Sequence, residues 1–152
     1  MNEPTEQANP GSRPVIYVCH PWSGDPARHT ASILEWCRWL TSQGRVPLAP
    51  QLLLPQYISE EHQRELAMEH CLRLVDCCDE LWVFHADKDW YDFAVSSGQQ
   101  QELDRARAVW GDGAARRIHH VWGVPQKALN IPAQVPDAQI YLRKGESIER
   151  YK

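Results

Sequence analysis

A hydroxyl, a glycine and a carboxylate stand at fixed offsets in Ser96-Ser97-Gly98-Gln99-Gln100-Gln101-Glu102, where an amphipathic segment carrying Leu103, Ala106 and Trp110 begins. The apolar run Leu81-Trp82-Val83-Phe84 precedes it and reads as a buried strand. A strand that leads through a loop into a helix N-terminus makes an anion site, because the first backbone N–H groups lack partners and the helix dipole favours negative charge. Ser96 and Ser97 can donate to such an anion or cap the helix. Glu102, one turn inside, would lie beside it. A carboxylate so placed can attack the anomeric carbon of a sugar and form a covalent glycosyl intermediate. A glutamate in a first helical turn is otherwise a solvated residue favoured by the dipole.

Other residues could share that chemistry. Asp79, between a helix and the third strand, can bond a ribose hydroxyl or protonate a leaving base, or simply make a turn. Tyr17 lies on the first strand, on a face the sequence does not assign. His20, Trp22, Ser23 and Gly24 form a loop with a stacking ring, a donor and a residue that permits close backbone approach; an ordinary strand-to-helix turn has the same composition. Trp90 lies in the long loop of residues 85–95, and loops of this kind on α/β sheets often cover a ligand. The cysteines and histidines show no zinc-like spacing and no C-x-x-C pair. No G-x-G-x-x-G follows the first strand, and there is no P-loop. No cofactor and no metal is therefore expected.

The elements that must position these residues alternate. Val15 to Cys19 is a β-rich run suited to a central parallel strand. Asp25 caps a helix with Pro26 at its first position, and Ile33, Leu34, Cys37 and Leu40 form its stripe until Gly44. Val46 to Ala49 is a second strand, placed at an edge by Pro47. Residues 50–58 are too proline-bounded for a helix. Ser59 with Glu60 and Glu61 marks the next helix start, and Ala67, Cys71, Leu74, Val75 and Cys78 form its buried stripe. Residues 117–122 make a fourth strand and residues 138–142 can add a late edge strand. The expectation is an α/β flavodoxin-like or Rossmann-like three-layer sandwich, its sheet mainly parallel with four or five strands and ligands at the strands' carboxyl ends. Residues 1–13 read as a mobile tail, 14–124 as the domain and 125–152 as a C-terminal extension.

The bulk numbers bound the function. The 152 residues, 43% of them hydrophobic, suit one domain. A net charge of -4 and a pI near 5.9 argue against a partner that is polymeric nucleic acid. No apolar run reaches the roughly 18 residues that span a bilayer, and the polar N-terminus lacks a secretory signal pattern. The five cysteines are odd in number and fit reduced, buried thiols. A soluble cytoplasmic protein is expected.

Four blocks occur in an order that resembles the nucleoside 2-deoxyribosyltransferase superfamily. They are Ile16-Tyr17-Val18-Cys19-His20-Pro21-Trp22-Ser23-Gly24-Asp25, Pro47-Leu48-Ala49-Pro50-Gln51-Leu52-Leu53, Cys78-Asp79-Glu80-Leu81-Trp82-Val83-Phe84 and Ser96-x-Gly98-x-x-x-Glu102. The chain is most similar to a bacterial and phage branch of it, over about residues 14–124. The resemblance implies a sheet of order 2-1-3-4-5 and cleavage of, or transfer at, the N-glycosidic bond of a (deoxy)nucleoside or its 5′-monophosphate. It implies Glu102 as nucleophile, assisted by Asp79 and Tyr17. It also implies that Ser96 holds a 5′-phosphate, as in the nucleotide N-hydrolases, with Gly98 beside it in the substrate site, and that the protein is a homodimer or higher homo-oligomer. Ser23 and Gly24 would share the phosphate while Trp22 or Trp90 stacks on the base. The branch usually has histidine where Gln51 stands, a small or apolar residue where Gln99 stands, and a shorter loop before the serine. A non-catalytic module that binds a nucleotide or nucleotide signal on the same scaffold is the alternative.

Overall fold

The computed structural model describes residues 13–85 and 92–123, together with the backbone of 141–144 and 147–150. Strand β1 (Val15–Cys19) is buried from Ile16 onward and pairs in parallel with β2 (Val46–Leu48) on one side and β3 (Glu80–His85) on the other. β3 in turn pairs in parallel with β4 (Ile118–Trp122). The antiparallel strands β5 (Tyr141–Lys144) and β6 (Ser147–Arg150) extend the sheet, giving the order β2-β1-β3-β4-β5-β6. The parallel part is the flavodoxin-like arrangement expected. The late strand differs from its expected position at the margin, because β6 lies outside it.

Alternation along the strands divides the core in two, as period-2 side chains must. Ile16, Val18, Trp82, Phe84 and Val121 face helix α1 (Pro26–Ser42) through Ile33, Trp36, Trp39 and Leu40. Tyr17, Cys19, Leu81, Val83 and Ile118 face the other way, onto Val75 of helix α3 (Arg64–Val75) and Leu103 and Ala106 of helix α4 (Ser97–Trp110). The face occupied by Tyr17 is thereby assigned. In α1 the buried positions are Ile33, Trp36, Trp39 and Leu40, whereas Leu34 is 40% exposed.

Two expected boundaries are corrected. Pro50 to Leu53 is a short helix, α2, followed by a 3-10 turn over Leu54–Gln56. A proline in the first turn of a helix loses no hydrogen bond, so Pro50 and Pro55 begin these turns rather than forbid them. Ser59 does accept from His62 N at 3.2 Å, but regular helix begins only at Arg64. The polar residues between them have nothing to bury, and the first buried position is Ala67. A four-residue helix, α5 (Ala114–Arg117), leads into β4. Among the described residues, no helix is long and apolar enough to cross a membrane. Of the five cysteines, which are unpaired, Cys19 and Cys78 are buried, Cys37 and Cys71 are half-buried and Cys77 is exposed.

Candidate functional site

The chain crosses from β1 leftward to β2 and from β3 rightward to β4, so the carboxyl ends of β1 and β3 form a topological switch point, where open α/β sheets bind ligands. Helix α4 begins there. Ser96 is its N-cap: Gln99 N donates to Ser96 Oγ at 3.2 Å and Ser96 N donates to Gln99 Oε1 at 2.9 Å, a complete capping box. The same glutamine amide donates from Nε2 to Cys19 O at 3.1 Å and to Phe84 O at 3.4 Å. One turn further, the buried Glu102 accepts from the Tyr17 hydroxyl, Oη to Oε2, at 2.5 Å. Burial pushes the Glu102 carboxyl up to about 7, against the hydrogen bonds of Tyr17 and Cys19, which favour its charged form. Burial, then the neighbouring carboxylate, holds Tyr17 well above its ordinary value, so the phenol stays protonated and donates. Near neutral pH Glu102 is thus poised between a carboxylate that can attack and an acid that can donate.

A cavity of about 150 Å³ opens above Glu102. One wall is the start of α4, with Ser96, Ser97, Gly98 and Gln99. A Cβ on Gly98 would lie 3.4 Å from Met68 Cε, which reflects how closely α3 approaches here. The second wall is α3, whose Arg64, Ala67, Met68 and Cys71 fall at i, i+3, i+4 and i+7 on one face. Arg64 Nη1 lies 3.4 Å from Glu60 Oε2, and both residues line the cavity. The third wall is the loop after β1, with His20, Trp22 and Ser23. His20 Nδ1 lies 2.7 Å from Pro21 O, which can only accept, so that nitrogen carries the proton and Nε2 accepts from Ser32 Oγ at 3.0 Å. Burial lowers His20 to about 4, leaving a neutral ring committed to the loop. Trp22 Nε1 donates to Thr30 Oγ1 at 3.2 Å, which fixes the indole edge. Gln51 Nε2 donates to Val18 O at 3.1 Å and His20 O at 2.9 Å, while its buried Oε1 has no hydrogen-bond partner among the described residues.

The site's setting on a flavodoxin-like sheet agrees with its relatives. The profile of a family described as Domain of unknown function (DUF7768) matches residues 14–110. The chain belongs to the DUF7768 family. No curated protein matches this DUF7768 chain. Among solved structures it is similar to the 2-desoxiribosyltransferase from Leishmania mexicana, with 15% identity and a TM-score of 0.51 over 91% of this chain and 79% of that one. It is also similar to the 2-deoxyribosyltransferase from Bacillus psychrosaccharolyticus, with 15% identity and a TM-score of 0.48 over 62% of this chain. The match spans 66% of the length of the Bacillus protein. At such identity the likeness is one of fold.

In this DUF7768 chain His20, Trp22, Ser23, Ser96, Gly98 and Glu102 share one cavity, and Tyr17 reaches Glu102 from the sheet beneath. Gly24, at φ +96°, stands next to Ser23 but does not line the cavity. Trp90 lies outside the described residues. Asp79 is not brought to the site, which corrects the expectation of a catalytic role. Its Oδ2 accepts from Val15 N at 2.8 Å and its own N–H donates to Val15 O at 2.9 Å, at the amino end of the sheet. Four residue steps along β1 separate Val15 from Cys19, roughly 13 Å at about 3.3 Å per step. Asp79 acts there as a turn residue whose carbonyl also accepts from Arg117 Nε at 2.7 Å. Reading the residues one by one missed Arg64, Met68, Cys71, Gln51 and Gln99 as cavity lining. The helical spacing from Arg64 to Cys71 was the available signal. Gln51 carries none, because its partners are backbone carbonyls distant in sequence, and Gln99 carries only its capping-box spacing from Ser96.

Proposed function

We propose that this DUF7768 chain cleaves, or transfers across, the N-glycosidic bond of a (deoxy)nucleoside or its 5′-monophosphate, with Glu102 as nucleophile. The observation that carries this reading is the buried Glu102 carboxylate at the cavity floor, oriented by Tyr17 and one turn inside a helix N-terminus. The fold likeness to the protein named as the 2-desoxiribosyltransferase from Leishmania mexicana adds support for the substrate class. In the first step ionised Glu102 attacks C1′. A C1′–O bond forms as the C1′–N bond breaks, and the base nitrogen takes the electron pair and a proton from water. In the second step water or another base attacks C1′ and gives its proton to the hydroxide left by the first, the ester to Glu102 breaks, and the configuration at C1′ is retained. Tyr17 orients the carboxylate and, as bond order to Glu102 falls, stabilises the returning charge. Ser96 Oγ accepts from Gln99 N and keeps its own proton to donate to a phosphate, so the cap and an anion are compatible.

The test is release of free base, or exchange with an added second base, when purified protein meets a panel of deoxynucleosides and their monophosphates. Activity in the wild type and its loss in Glu102→Ala support the assignment. Equal activity in both would overturn the role of Glu102. Ligand-induced stabilisation without turnover would support a nucleotide-binding module instead.

A further inference from the structure

The side chain of Gln99 ties the start of α4 to the sheet, where Cys19 Sγ also donates to Gln99 O at 3.8 Å. Gln99 is 3% exposed, and its amide is fully used: Oε1 accepts from Ser96 N, and Nε2 donates to Cys19 O and Phe84 O. Cys19 ends β1 and Phe84 lies next to the end of β3, so the amide spans the switch point between the two strands. Glu102 follows at i+3 on the same helix face. Its partner Tyr17 lies two residues before Cys19 on β1, on the same side of the sheet. The Gln99 to Cys19 and Tyr17 to Glu102 bonds are therefore successive rungs between one strand and one helix. Neighbouring side chains in this turn point elsewhere. Ser97 and Gln100 are exposed, and Gln100 Nε2 donates to Asp104 Oδ1. Leu103 and Ala106 hold α4 by apolar packing, which is non-directional.

We propose that Gln99 is a positioning residue for Glu102, its clamp on Cys19 O and Phe84 O setting the rotation and height of α4 so that the carboxylate meets both Tyr17 and the cavity. The proposal rests on the reading of Glu102 as the reacting carboxylate. Misplacement of a reacting group by about 1 Å can cost on the order of 100-fold in rate, so a clamp made of directional bonds matters more to turnover than to binding.

The experiment compares wild type with Gln99→Met, which keeps the length without polar atoms, and Gln99→Asn, which keeps the amide one methylene short. Steady-state kinetics use whichever nucleoside or monophosphate the wild type processes, and the Glu102 carboxyl is titrated by 13C NMR, assigned with Glu102→Gln. In Gln99→Met, kcat is expected to fall about 10- to 100-fold with KM within about threefold. The Glu102 midpoint is expected to move by about one pH unit toward the ordinary carboxylate range as water reaches it. Gln99→Asn should recover part of both. A folded Gln99→Met with unchanged kcat and midpoint overturns the proposal, as does a change in KM alone. If Gln99→Met does not fold, Gln99→Asn carries the same two readings. If the wild type turns over nothing in the panel, the glycosidic reading fails and the titration alone decides the role of Gln99.

Discussion

At the level of single residues, Glu102 joins stability to chemistry. A carboxyl raised from 4.5 to about 7 binds its proton more tightly in the folded than in the unfolded chain. Its contribution to stability is fully present below pH about 4.5 and is lost as pH rises through 7. Glu102→Gln lacks that titration and can still accept from Tyr17. The unfolding free energy of the variant relative to wild type is expected to rise by on the order of 3 kcal/mol between pH 4 and pH 9, at about 1.4 kcal/mol for each pH unit between the unfolded and folded midpoints. Denaturant melts across that range check it, and parallel profiles would refute the buried, raised carboxyl. The same titration sets the acid limb of activity. As nucleophile Glu102 must be ionised, so kcat/KM should fall about tenfold per pH unit below 7. A flat profile down to pH 5 would show that another group does the work.

At the level of elements, the start of α4 was legible because its signals are local. Ser96 and Gln99 stand three residues apart, the spacing of a capping box, and both halves of the box are made. Ser96→Ala should cost about 1 kcal/mol, a fall of about 2–4 °C in Tm for a chain of this size. Calorimetry checks this, and an unchanged Tm would mean that the box adds nothing to the helix. Where the sequence reading failed, the deciding contact was distant or the local cue was shared. Ser59 bears the same kind of signal as Ser96, yet Glu61 to Gln63 are exposed, and regular helix begins only at Arg64, in the turn that buries Ala67. Asp79 looked like Glu102 as a carboxylate beside a strand. It stands at the opposite end of the sheet, and only the strand direction distinguishes them. Gln99 and Gln51 act through carbonyls of strands far away in sequence, which no spacing rule reveals.

At the level of the whole molecule, β3 belongs to both cores. Trp82 and Phe84 pack with α1, and Leu81 and Val83 pack with α3 and α4, all of them buried. Neither face can melt without exposing the other side of the same strand, so unfolding should be one cooperative event. The tryptophans make this testable in a Trp110→Phe, Trp122→Phe background, which removes Trp110 packed on the Leu81 face and Trp122 stacked on His85, because Trp36, Trp39 and Trp82 all report on the α1 face, Trp36 lying 4.7 Å from Phe84 and Trp39 6.0 Å from Trp82 between ring centroids. Leu81→Ala removes side-chain volume from the opposite face and should cost about 2–5 kcal/mol, a large share of the roughly 5–15 kcal/mol typical of a domain. If β3 couples the faces, the fluorescence midpoint falls together with that from far-UV circular dichroism, although no tryptophan of the α1 face touches the mutated side of the strand. Phe84→Ala, on the α1 face, should cost about 3–5 kcal/mol and lower both midpoints together. A Leu81→Ala protein whose fluorescence transition stays at the wild-type midpoint while the dichroism transition drops would show that the faces melt separately. The switch point would then rest on two independently stable halves, and the carboxyl ends of β1 and β3 would lose their fixed separation before the molecule as a whole unfolds.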